Sequence, residues 1–190
     1  MGLSILCLLT LFVFPMWKIT LVAPQYPEGI SMNIWINKMT GEELGTLQNI
    51  NILNHYVGMK YIEPDAIPEL VYFPYVIMTM CFLGLGAIAW DKPEVYLIWT
   101  ILFVILSCLG LYDFYLWEHD YGHDLDPKAI MKFTNPDGSV MGFQPPLFGS
   151  KDILNFKAHS YPRLGALFLG LGIAASLFAY LVGKKKSKKP

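Results

Sequence analysis

The chain has 190 residues, of which 54% are hydrophobic, a net charge of −1, and only 14 Lys and Arg. So apolar a composition excludes an ordinary soluble domain of this length, and so few cations exclude nucleic acid as a partner. Cys7, Cys81 and Cys108 all lie inside apolar runs, which excludes a Cys-x-x-Cys redox or metal pair and a disulfide framework in the polar segments.

Crossing a bilayer core as a helix takes about 20 apolar residues. The first such run, residues 3–22, is interrupted by Pro15 and Lys18. Without a basic leader or a small-x-small cleavage site it reads as a retained helix rather than a secretory signal. Residues 23–69 follow as a long polar loop, in which Ile30, Met32, Ile34 and Ile36 alternate with polar residues as in a half-buried strand. Residues 70–90 and 95–117 form two further spans joined by Asp91-Lys92-Pro93-Glu94. Residues 118–162 are a second long loop, with a hairpin expected over 129–143 around the turn residues Asn135-Pro136-Asp137-Gly138. Residues 163–182 make a fourth span, and the tail, 183–190, carries Lys184, Lys185, Lys186, Lys188 and Lys189.

The fold class expected from this pattern is an all-α membrane protein: a four-transmembrane-helix bundle, one membrane domain, whose two long loops form a small β-containing cap. Trp17, Trp90 and Trp117 fall at expected span ends, where amphipathic rings sit at headgroup level, and the lysine tail places the C-terminus in the cytoplasm. With four spans the N-terminus is cytoplasmic as well, and both loops and all four histidines lie on the other side.

The spans carry no His, Lys, Arg or Glu at mid-depth, which argues against a proton pump or transporter. They offer no axial imidazole either, so no haem is expected. Chemistry is concentrated in the loops. In Asn51-Ile52-Leu53-Asn54-His55-Tyr56-Val57-Gly58-Met59, His55 and Met59 are four residues apart and would share a face on a helical turn. Imidazole with thioether suits copper, particularly the cuprous form; the alternative is a packed pair. In Trp117-Glu118-His119-Asp120-Tyr121-Gly122-His123-Asp124-Leu125-Asp126-Pro127, a helix extended by one turn would bring His119 and His123 onto one face, with carboxylates to orient a ligating imidazole. The alternative there is a polar helix terminus that caps and hydrates its backbone. Neither a Ser-His-Asp constellation with recognisable context nor His-Glu-x-x-His occurs, so an enzyme is not expected.

The ordered set Ala23-Pro24-Gln25-Tyr26-Pro27-Glu28-Gly29, Leu53-Asn54-His55-Tyr56, Trp117-Glu118, Tyr121-Gly122-His123, Leu125-Asp126-Pro127 and Gln144-Pro145-Pro146-Leu147 resembles a family of small bacterial membrane proteins. Genes for that family, notably in Bacteroidetes, lie beside those for nitrous-oxide reductase and its maturation factors. The resemblance implies an inner-membrane protein with periplasmic loops, assisting copper delivery, assembly or electron supply to a periplasmic copper enzyme in denitrification. It implies no catalytic activity and no established ligand set.

Two readings follow. In one, His55, Met59 and His123 are copper ligands, Glu118 or Asp126 orients them, and His119 is a weaker candidate. In the other, the chain binds no metal and anchors or docks periplasmic partners: the copper enzyme, its maturation factors or a cytochrome. The first expects the two loops to fold against each other.

Overall fold

The computed structural model describes residues 1–135 and 137–187. Pro136 of the expected turn and Lys188 and Lys189 of the tail lie outside the described residues. The elements are α1 (Gly2–Leu9, continued by a 3-10 turn, Thr10–Phe12), β1 (Trp17–Ala23), β2 (Tyr26–Ile34), β3 (Met39–Gly41), α2 (Thr46–Val57), α3 (Glu69–Trp90), α4 (Pro93–His123), β4 (Gly149–Ile153), β5 (Phe156–Pro162) and α5 (Leu164–Ser187).

The all-α four-helix bundle is overturned. The fold is mixed: helices plus a five-stranded antiparallel sheet in the order β3-β2-β1-β5-β4. Among the described residues three helices, α3, α4 and α5, are long and apolar enough to cross a membrane. The expected first span breaks where its sequence changes character. The apolar helix Gly2–Phe12 rises only about 17 Å at about 1.5 Å per residue, roughly half of a hydrocarbon core of about 30 Å. Pro15 then removes a helical donor and restricts Phe14 before it. From Trp17 the side chains alternate: Trp17, Ile19 and Leu21 enter apolar clusters, while Lys18 points to the other face and pairs with Glu42 at 2.5 Å. β-branched residues at 19, 20 and 22 favour the strand, which also keeps Lys18 out of lipid.

Within the bundle α1 packs through small residues. Ser4 Oγ donates to Gly172 O at 2.6 Å, Ile5 lies over Gly84, and Leu8 and Leu11 are fully buried. Glycine lets the helix backbones approach where a larger side chain would hold them apart. At the opposite end of the bundle from the sheet, Gly183 packs against Pro93, so the α3–α4 turn and the lysine end of α5 lie together.

At 31 residues α4 is longer than the roughly 20 that carry a helix across a bilayer core, and its end, residues 114–123, forms a stalk against the sheet. Phe114, Trp117 and Tyr121 of this stalk pack on Ile19, Met32 and Met39 of the sheet, Ile50 of α2, and Ile62 and Ile67. The expected strand around Ile30–Ile34 is β2. The expected hairpin over 129–143 is reduced to a single bridge, Thr134 to Val140, and the hairpin of the second loop is β4–β5 instead. β5 pairs with β1 from Trp17↔Pro162 to Val22↔Lys157, so residues 17–23 and the second loop share one sheet above the helices.

Candidate functional site

The α4 stalk is the axis of the cap, and the two loops meet around its end. Asp126 N donates to Gly58 O at 2.8 Å, Met131 N to Tyr56 O at 2.9 Å and Phe143 N to Gly122 O at 2.8 Å. Tyr121 Oη donates to Tyr61 O at 3.0 Å, and Lys60 pairs with Asp124 at 2.5 Å, which raises the Lys60 ammonium above its ordinary range. The Asn51 amide clamps the Ile62 backbone from both sides: Nδ2 donates to Ile62 O at 3.1 Å, and Oδ1 accepts from Ile62 N at 2.7 Å.

Two glycines make these junctions possible. Gly58 ends α2 at φ 81°, a left-handed conformation, and its Cα faces Ala129 and the Asp126 backbone. Gly122 sits so close to the backbone of Gln144 that no side chain fits between them. The Gln144-Pro145-Pro146-Leu147 run is thereby held locally: Gln144 O accepts from Lys151 Nζ at 3.1 Å, and Leu147 O from Ser160 Oγ at 3.2 Å.

The sequence candidates are not gathered into one site. His119 and His123 are brought together, with ring centroids 4.2 Å apart and planes 16° from parallel. His123 Nδ1 lies 3.0 Å from His119 O, the distance of an N–H donating to that carbonyl, and the ring packs against Gly142, where an added Cβ would come within 2.6 Å of Nε2; the residue is exposed. His119 Nδ1 lies 3.8 Å from Asp120.

His55 and Met59 do not share a helical face. The helix ends at Val57, and Gly58 turns the chain so that Met59 packs with Val57, Phe143 and Leu125, while His55 stacks on Tyr61 at 6.0 Å in an exposed position. Asp126 accepts from Lys128 N at 2.8 Å, a local turn rather than a contact with an imidazole. Among the described residues, no three or more His, Cys, Asp or Glu side chains are grouped closely enough to hold a metal ion. The expected copper ligands thus form no such group among the described residues, while His55, His119 and His123 lie exposed.

Glu118 stands apart. It is fully buried in the cap, and neither carboxylate oxygen has a hydrogen-bond partner among the described residues. Burial alone pushes its carboxyl up to about 8, because a charge taken out of water without a partner is disfavoured. At neutral pH the side chain is held mainly as the neutral acid, so it cannot act as a standing negative charge that orients an imidazole. Its position in the run carries no signal of this, since three other carboxylates beside it are exposed: Asp120, Asp124 and Asp126.

The cap also presents features that the sequence did not single out. The outward face of the sheet carries Lys18, Thr20, His159 and Tyr161, with Ser150 Oγ 2.6 Å from His159 Nδ1. On α2, Ile52 is 54% and Tyr56 43% exposed, one turn apart and beside Met131. No family model, curated protein or solved structure matches the chain.

Proposed function

We propose that this chain is an inner-membrane accessory protein whose extracytoplasmic cap docks a periplasmic redox partner, a copper enzyme such as nitrous-oxide reductase or a cytochrome that serves it. The lysine end of the bundle faces the cytoplasm by the positive-inside rule, which turns the cap to the periplasm. One observation carries the docking reading: Ile52, Tyr56 and Met131 stand exposed on the cap, with Tyr56 O accepting from Met131 N where the two loops meet. Tyrosine and methionine are enriched at interfaces, and grouped apolar side chains on an extramembrane surface mark interaction sites. Copper handling is the second reading; the stacked His119–His123 pair favours it.

The two readings separate in cells that produce the reductase and a tagged form of this chain. Ile52→Glu with Tyr56→Glu is expected to lose co-purification of the reductase, since truncating interface anchors typically costs about 2 kcal/mol or more, roughly thirtyfold in affinity. His55→Ala with His123→Ala is expected to retain both co-purification and the copper content of the reductase. Loss of reductase copper in the histidine variant, with the surface variant unaffected, would reverse the assignment.

A further inference from the structure

The bundle contains a groove of about 1190 Å³ at its lysine end. Its origin is the short reach of α1, which meets α5 closely at Gly172 through Ser4 and Cys7 and lines the groove with Met1 and Leu3. From there to Lys186, α5 turns Ala175, Ala179 and Val182 into the groove, with Cys7 at its upper end and Lys92 and Lys186 at its mouth. The stretch from Leu171 to Lys186 rises roughly 22 Å at about 1.5 Å per residue, more than the depth of one leaflet, about 15 Å. The small alanines leave a channel, and among the described residues its walls between the upper end and the mouth are apolar.

Charge distinguishes the mouth from the walls. Lys92, Lys184, Lys185 and Lys186 are set against two carboxylates, Asp91 and Glu94, and Asp91 already accepts from Tyr96 Oη at 2.7 Å. An apolar channel of leaflet depth that opens on a cationic rim at the interface complements an amphiphile with an acyl chain and an anionic head.

We propose that this groove binds an anionic phospholipid, one acyl chain lying along α5 past the start of α1 and the phosphate held by Lys92 and Lys186. Lipid at this position completes the packing that the half-length helix leaves open. The proposal is independent of what the cap binds.

The test uses the full chain in nanodiscs of equal phosphatidylglycerol and phosphatidylcholine, with the lipid retained after detergent extraction read by native mass spectrometry. Phosphatidylglycerol is expected to exceed phosphatidylcholine by at least roughly fivefold, the effect of about one interfacial lysine. Lys92→Gln with Lys186→Gln brings the ratio close to one, and Ala179→Trp removes retained lipid of both kinds. Ala175→Leu serves as a smaller filling if the tryptophan lowers Tm. Equal retention of the two lipids by the wild type, a preference that survives the lysine changes, or lipid retained behind a filled groove at unchanged Tm would each overturn the proposal. So would disulfide crosslinking of Ala179→Cys copies on a cysteine-free background, which would give the groove to a second copy of the chain.

Discussion

Replacing Gly122 by alanine is expected to destabilise the cap by about 3 kcal/mol or more, the upper part of the range for forcing atoms into a packed site. An added Cβ would lie 2.5 Å from Gln144 Cα and closer still to Gln144 N. Both are backbone atoms and cannot rotate away. The hydrogen bond from Phe143 N to Gly122 O ties the same two segments, so relief requires the 143–147 run to leave the stalk and carry Phe143 out of its cluster with Val57, Ile153 and Ala158. Gly110, on the same helix with nothing among the described residues within 4 Å of an added Cβ, is the control: alanine there is neutral or favourable, as helix propensity alone dictates. Thermal unfolding in detergent, with hydrogen exchange resolving the cap amides, reads the difference. Equal stability of the two variants would mean that the junction does not hold the loops together.

Glu118→Gln should remove most of the pH dependence of cap stability. In the folded chain this carboxyl is raised from an ordinary 4.5 to about 8, so the native state keeps a proton that the unfolded chain releases. Stability is then fully present below about pH 4.5 and is lost as pH rises through about 8, by roughly 5 kcal/mol at about 1.36 kcal/mol per pH unit. Glutamine has nearly the same shape and no charge to bury. The wild type is expected to lose Tm steadily between about pH 5 and pH 9, and the variant to stay flat and overtake it on the alkaline side. Parallel curves for the two proteins would show that Glu118 is hydrated or paired in solution.

The long helices are legible in the sequence because each keeps an apolar window wide enough to exclude other readings, and β2 because its alternation is clean. The first apolar run misleads for a physical reason. Both a buried helix and the core side of a strand are apolar, so Leu3 through Val22 look continuous in hydropathy although Pro15 and Lys18 mark the change of period. β4 and β5 carry no comparable signal: the inward positions of β5 are filled by Ala158 and Ser160, both fully buried but small, and the pairing that completes the sheet joins residues about 140 apart, which no local pattern encodes.

At the site, the spacing of His119 and His123 does predict a shared face. What the spacing does not contain is the packing of the His123 ring against Gly142, because that neighbour is brought in by the folded second loop. Gly58 is a readable stop for α2, and given full weight it separates Met59 from His55 on local sequence alone. The burial of Glu118 is not readable, since its neighbours in sequence are exposed carboxylates and only the packing of the stalk distinguishes it.

Metal content and cuprous-ion affinity of the detergent-purified chain, wild type beside His55→Ala with His123→Ala, test the docking reading most directly. The docking reading predicts no stoichiometric copper and the same weak affinity in both proteins. Copper bound at one equivalent by the wild type and lost from the variant would contradict it and make copper transfer the function of the cap.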